Sequence, residues 1–125
     1  MLRRLALALL LAAAPAIAPT GAVAEPFRAA VARQVAACWS IDALSPEAQA
    51  TTVTLGVDLG ADAVPQADAI TLIASDAPAP AAQEAFEAAR RAVLRCGASG
   101  LPLPPDQHEA WRHMELTFTA GAYIS

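Results

Sequence analysis

The chain contains no lysine, and its eight basic residues are all arginine. Schiff-base catalysis needs a lysine amine and the phosphate-cradling P-loop needs a lysine ammonium, so both are excluded. Basic charge is scarce altogether. Arg3 and Arg4 lie in a segment expected to be removed, which leaves six arginines against twelve acidic residues, a net charge of −6. A domain so charged is repelled by nucleic acid and by anionic lipid, and neither is an expected partner. Cysteine is limited to Cys38 and Cys96. A Cys-x2-Cys zinc motif is therefore ruled out.

The N-terminus states where the chain resides. Met1-Leu2-Arg3-Arg4 is a short basic region, the apolar run "LALALLLAAA" follows, Pro15 and Pro19 interrupt it, and Ala22-Val23-Ala24 precedes Glu25. This order reads as a secretory signal peptide over residues 1–24, cleaved after Ala24. Retention as an anchor is the alternative, since an uncharged run of about 20 residues is long enough to span a bilayer; the two prolines and the small-residue site argue against it. The mature chain, residues 25–125, is then a single exported domain of about 100 residues, expected in the periplasm with no membrane span.

In an oxidising compartment two cysteines are expected to pair. Closing a loop as long as that between Cys38 and Cys96 stabilises by about 4 kcal/mol in the chain-entropy model. Zinc held by both cysteines with His108 and His113 is the rival; the His-x4-His spacing permits it, but the missing Cys-x2-Cys counts against it. Helical periodicity supports a structural bridge. In "EPFRAAVARQVAACW", Phe27, Val31, Val35 and Cys38 share a face, with Pro26 suited to the first turn. In "PAAQEAFEAARRAVLRCG", Phe86, Ala89, Val93 and Cys96 form a second stripe. Its outer face carries Glu84, Glu87, Arg91 and Arg95, with an expected Glu87–Arg91 pair, and Gly97 fits the residue after the helix.

"TTVTLGVDL" alternates Val53, Leu55, Val57 and Leu59 against Thr52, Thr54, Gly56 and Asp58, the pattern of a strand with one buried face. "GADAVPQAD" reads as a turn, "AITLIAS" as a second strand with Ile70 and Leu72 inward, and "DAPAPAA" as a loop. Asp106 and Glu109 have capping-box spacing for a short turn through Trp111, and "HMELTFT" is the last strand. Helix-strand-strand-helix-strand predicts an α+β fold: a three-stranded antiparallel sheet in order 2-1-3, helices packed on one face, with the second and third strands as edges.

At these residues the chain resembles a family. "VARQVAACWSIDALSPEA", "VTLGVDL", "EAARRAVLRC", "LPLP" and "WRHMELTF" follow one another as in the C-terminal domain of TolA proteins, over roughly residues 27 to 119. The fold is shared with the TonB C-terminal domain. The resemblance implies a periplasmic protein-binding module of the cell envelope, part of the Tol-Pal system that maintains envelope integrity, with TolB- or Pal-like partners. Family members carry a transmembrane anchor and a long helical spacer, whereas here the expected signal peptide leads directly into the domain, so transmission of force from a membrane motor is not expected. A TonB-like energy-transducer domain, or a secreted inhibitor or scaffold reusing the fold, is the alternative function.

No enzyme chemistry is expected, and no cofactor. "GASG" around Ser99 follows a helix rather than a strand and has Leu101 where a nucleophile elbow has glycine. His108 and His113 flank a helix-to-strand junction as surface or partly packed residues. Asp58, Asp62 and Asp68 lack calcium-loop spacing, and Trp39 and Trp111 are expected to pack. The candidate partner-binding site is the edge of the second strand, Ile70, Thr71, Leu72, Ile73, Ala74 and Ser75: uncharged from Ile70 to Ala74, with Ile73 outward by alternation, and suited to strand addition.

Overall fold

Alanine-rich sequence with apolar residues at helical spacing makes the first helix, α1, Thr20–Ala36, which buries Val31, Ala32 and Val35. A computed structural model describes residues 20–119 and 123–125, so the expected signal peptide lies outside the described residues as far as position 19. Pro26, expected in the first turn, stands inside the helix instead. Good helix formers at Ala22 and Ala24 carry the helix upstream, and the proline forgoes its own backbone bond there. Were the chain cleaved after Ala24, as the sequence leads one to expect, Pro26 would stand in a first turn, where its missing N–H has no partner to lose. Among the described residues no helix is long and apolar enough to cross a membrane.

The second long helix, α3, spans Ala81–Cys96 and buries Ala85, Phe86, Ala89, Ala92 and Val93 against α1 and the sheet. Its alanine-rich inner face allows close approach. Glu87 takes a hydrogen bond from Gln83 Nε2 at 3.0 Å rather than the expected pair with Arg91. Cys38 and Cys96 are joined, with Cα atoms 5.9 Å apart. The bridge links the turn just beyond α1, where Cys38 N donates to Val35 O, to the last residue of α3. Gln34 reinforces this junction: its Nε2 donates to Cys96 O at 2.8 Å and Gly100 O at 3.2 Å, supplying a donor to the exposed carbonyl end of α3. Between α1 and the sheet, α2 (Pro46–Gln49) is a single turn packed on α3.

Strands β1 (Val53–Leu59), β2 (Pro65–Ser75) and β3 (His113–Thr119) are antiparallel in the expected order β2-β1-β3. The alternation in β1 turns Val53, Leu55, Val57 and Leu59 into the core together with Met114, Leu116 and Phe118. A 3-10 turn (Pro105–Gln107) and the one-turn helix α4 (His108–Trp111) lead into β3. The expected capping box is not formed. Gln107, not Asp106, occupies the N-cap and no side chain caps the turn, because the 3-10 turn already engages Asp106; Glu109 instead lies 3.7 Å from Arg112.

Two expectations about the sheet are corrected. The third strand is not an edge, since β4 (Tyr123–Ile124) pairs with it as Phe118↔Ile124 and Thr119↔Tyr123, and Thr117 exchanges both backbone bonds with Ser125. The second strand also starts earlier, at Pro65, so the turn shortens to Gly60–Val64. Proline is tolerated there because it opens an edge strand. Gly97 differs from its expected role too. Its φ is −98°, outside the left-handed region, and a Cβ there would lie 2.6 Å from the Pro65 ring. It is glycine for lack of space. The positive φ falls at Gly100, +99°, next to the Leu101 N–H that donates to Ala63 O and ties the segment after α3 to the β1–β2 turn.

Candidate partner-binding edge

In an antiparallel ladder, successive residues of the central strand bond alternately to left and right. Asp76 N donates to Thr52 O on the β2 side, and Leu59 N to Arg112 O on the β3 side. Even-numbered residues of β1 therefore face β2 and odd-numbered ones face β3. With Gly56 opposite Thr71 and Thr54 opposite Ala74, Thr71 and Ala74 bond inward. The pairs Val57↔Ile70, Leu55↔Leu72 and Val53↔Ser75 are then the non-bonded ones, so the backbone groups of Ile70, Leu72 and Ser75 point to the open side. The outward donors thus belong largely to residues whose side chains face the core.

Ile73 is the extra residue in the register shift between Thr54 and Leu55. It is 47% exposed, the one large apolar side chain so exposed among the described residues. It lies across the outer face of the sheet, its Cδ1 where a Cβ on Gly56 would come within 2.8 Å. The glycine thereby lets an isoleucine lie flat beside the edge. Leu72 is half-buried against the core and Ile70 is buried. The expected edge residues are thus contiguous at one border of the sheet. Asp68 and Asp76 flank them, and Asp76 Oδ1 accepts Thr52 N at 2.9 Å.

Beyond Ser75 the chain enters a groove of about 370 Å³ between the segment Ala77–Ala81 and the starts of α2 and α3. Ser45 builds its floor. Its backbone N donates to Glu84 Oε2 at 2.7 Å and its Oγ to Glu84 Oε1 at 2.8 Å, while Ala48 N donates to the same Oγ at 3.1 Å. Ser45 is thus the N-cap of α2, with Pro46 following it. The backbone bond from Ser45, then the hydroxyl bond, hold the half-buried Glu84 carboxyl below its ordinary value. A carboxylate with a depressed folded value stabilises the fold above its unfolded value, about pH 4.3, and loses that contribution as pH falls through the folded one. Glu84→Gln should therefore lower the melting temperature at neutral pH, with the gap to wild type closing below about pH 4. Melting curves of both proteins across that range are the check, and a gap independent of pH would refute the assignment.

Of the residues weighed for chemistry, Asp58, His108 and His113 line one hollow together with Leu59 and Arg112. His113 Nδ1 and Asp58 Oδ1 are 2.6 Å apart on the exposed face, whereas His108 Nε2 turns to Leu59 O at 2.9 Å and stands edge-on to Trp111. No group of three metal-ligating side chains occurs among the described residues, and both cysteines are in the expected disulfide, so neither is free to hold zinc. Ser99 lies in the turn after α3, exposed. Trp111 is fully buried, and Trp39 packs edge-on to Phe118 with centroids 4.9 Å apart. The groove at Ser45 and Glu84 was not foreseen from the sequence, although Ser-Pro-Glu is a recognisable helix start. No family model, curated protein or solved structure matches the chain.

Proposed function

We propose that this chain is an exported, TolA-like protein-binding module of the cell envelope, working in the periplasm on TolB- or Pal-like partners, and that it takes an extended partner segment along β2. The observation that carries the reading is the open β2 border: Ile70–Ser75 is uncharged, its other side is paired to β1, and Ile73 lies exposed beside it. An added strand satisfies the outward backbone groups and packs on Ile73. The β2-β1-β3 order agrees with the resemblance, and the Cys38–Cys96 bridge suits an oxidising compartment.

Proline at Leu72 removes an outward donor without breaking the β1 ladder, and Leu72→Ala controls for the lost side chain. Leu72→Pro should abolish capture of TolB- or Pal-like proteins while circular dichroism stays native, and Leu72→Ala should retain capture. Equal binding by both folded variants would remove this edge from consideration.

A further inference from the structure

We infer that the groove beyond β2 is the selectivity pocket of the edge, and that it receives an arginine side chain at one end of the docked segment. The inference rests on the strand-addition reading. Ala77 lies two residues past the last residue of β2, about 7 Å of extended chain, so a segment paired to Ser75 reaches the groove with its next residues. The walls are alanine and proline: Ala77, Pro78, Ala79, Pro80 and Ala81. Their side chains offer apolar surface but no donor or cation. The polar groups that line it are Ser45, Glu47 and Glu84, and no basic residue is among them.

Size and charge select the occupant. At about 370 Å³ the groove is at the small end of ligand sites, which run from about 300 to 1,000 Å³. That suits one long side chain. Glu84 is already engaged by Ser45 and held ionised, while Glu47 is exposed at the rim. Asp76 adds a further negative charge where β2 ends. An acidic occupant is repelled, and a short apolar one leaves the Glu47 carboxylate unmatched. Arginine lays its methylene stem on the alanine-proline wall and brings a planar guanidinium to the Glu47 carboxylate at the rim. The partner segment is therefore uncharged and β-forming where it meets Ile70–Ser75, and cationic at the end beside the groove.

Three blocked peptides test this against the full mature chain by fluorescence anisotropy: alternating threonine and valine, the same with arginine at the N-terminal end, and the same with arginine at the C-terminal end. The neutral peptide should bind, and one arginine peptide should bind about twofold to fivefold tighter at low salt, the usual yield of a partly exposed ion pair. That gain should shrink with added salt and vanish in Glu47→Gln. Equal gains at both ends, or a gain that survives Glu47→Gln, would reduce the effect to general attraction by an acidic protein and overturn the assignment. Binding of the neutral peptide with no gain from either arginine overturns the pocket alone. Failure of all three peptides overturns the strand-addition reading and the pocket with it.

Discussion

Replacing both Cys38 and Cys96 with serine should lower the stability of the folded domain by about 2–5 kcal/mol. The two residues are 58 positions apart, so the bridge removes much of the freedom of the unfolded chain, about 4 kcal/mol in the loop-entropy model. Geometry does not oppose it, since the Cα separation of 5.9 Å falls within the ordinary disulfide range of about 4.4–6.8 Å. The effect is large because a domain this small has a net stability of only about 5–15 kcal/mol. The fold itself should survive at room temperature, because Gln34 independently ties α1 to Cys96 O and Gly100 O. Urea titration of the double variant beside wild type measures the loss. A loss under about 1 kcal/mol, or two thiols that label in the native unreduced protein, would contradict the structural role.

The fold was legible where a period repeats often enough to be unambiguous. Val53 to Leu59 alternates over a full strand, and Phe86, Ala89, Val93 and Cys96 repeat along a full helix, so the elements and their order follow from pattern and handedness alone. β4 was not legible, because Tyr123–Ile124 is too short to show any period. Its placement depends on what Thr117 and Phe118 leave unpaired, which is a tertiary fact. Gly97 illustrates a second limit. Glycine after a helix ordinarily signals a left-handed residue, but here the Pro65 ring, distant in sequence, excludes a side chain.

The candidate edge was legible for similar reasons and only in part. Alternation puts Ile73 outward and the crossover leaves β2 at the border, as the structure has it. Alternation does not reveal the register shift that makes Ile73 the extra residue, nor that Thr71 bonds to β1 while Leu72 presents its backbone outward. Those follow from long-range pairing. The groove is less visible still, since Ser45 and Glu84 are 39 positions apart and meet only because α2 docks on α3.

Trp111→Ala should be the most damaging single substitution in the core, lowering stability by about 3–5 kcal/mol. Trp111 is 0% exposed, the largest of the fully buried side chains. It ends a helix of one turn that has no side-chain cap, so the packing of its own indole is what fixes α4 between α1 and the start of β3. The indole Nε1 donates to Pro104 O at 2.8 Å and the His108 ring stands edge-on at 4.8 Å. Truncation therefore opens a cavity and strands a carbonyl together. Trp111→Phe separates the two contributions: it keeps an aromatic ring but not the donor, and should lose less than the alanine variant, with the carbonyl accounting for about 1–3 kcal/mol. Guanidinium denaturation of the three proteins gives both differences. Because α4 leads directly into β3, the alanine variant should also lose amide protection first at Met114 and Leu116, at the far side of the sheet from β2. Peptide binding at the β2 edge should persist at temperatures where the variant remains folded. An alanine variant as stable as wild type would show that the turn is held by something other than its tryptophan.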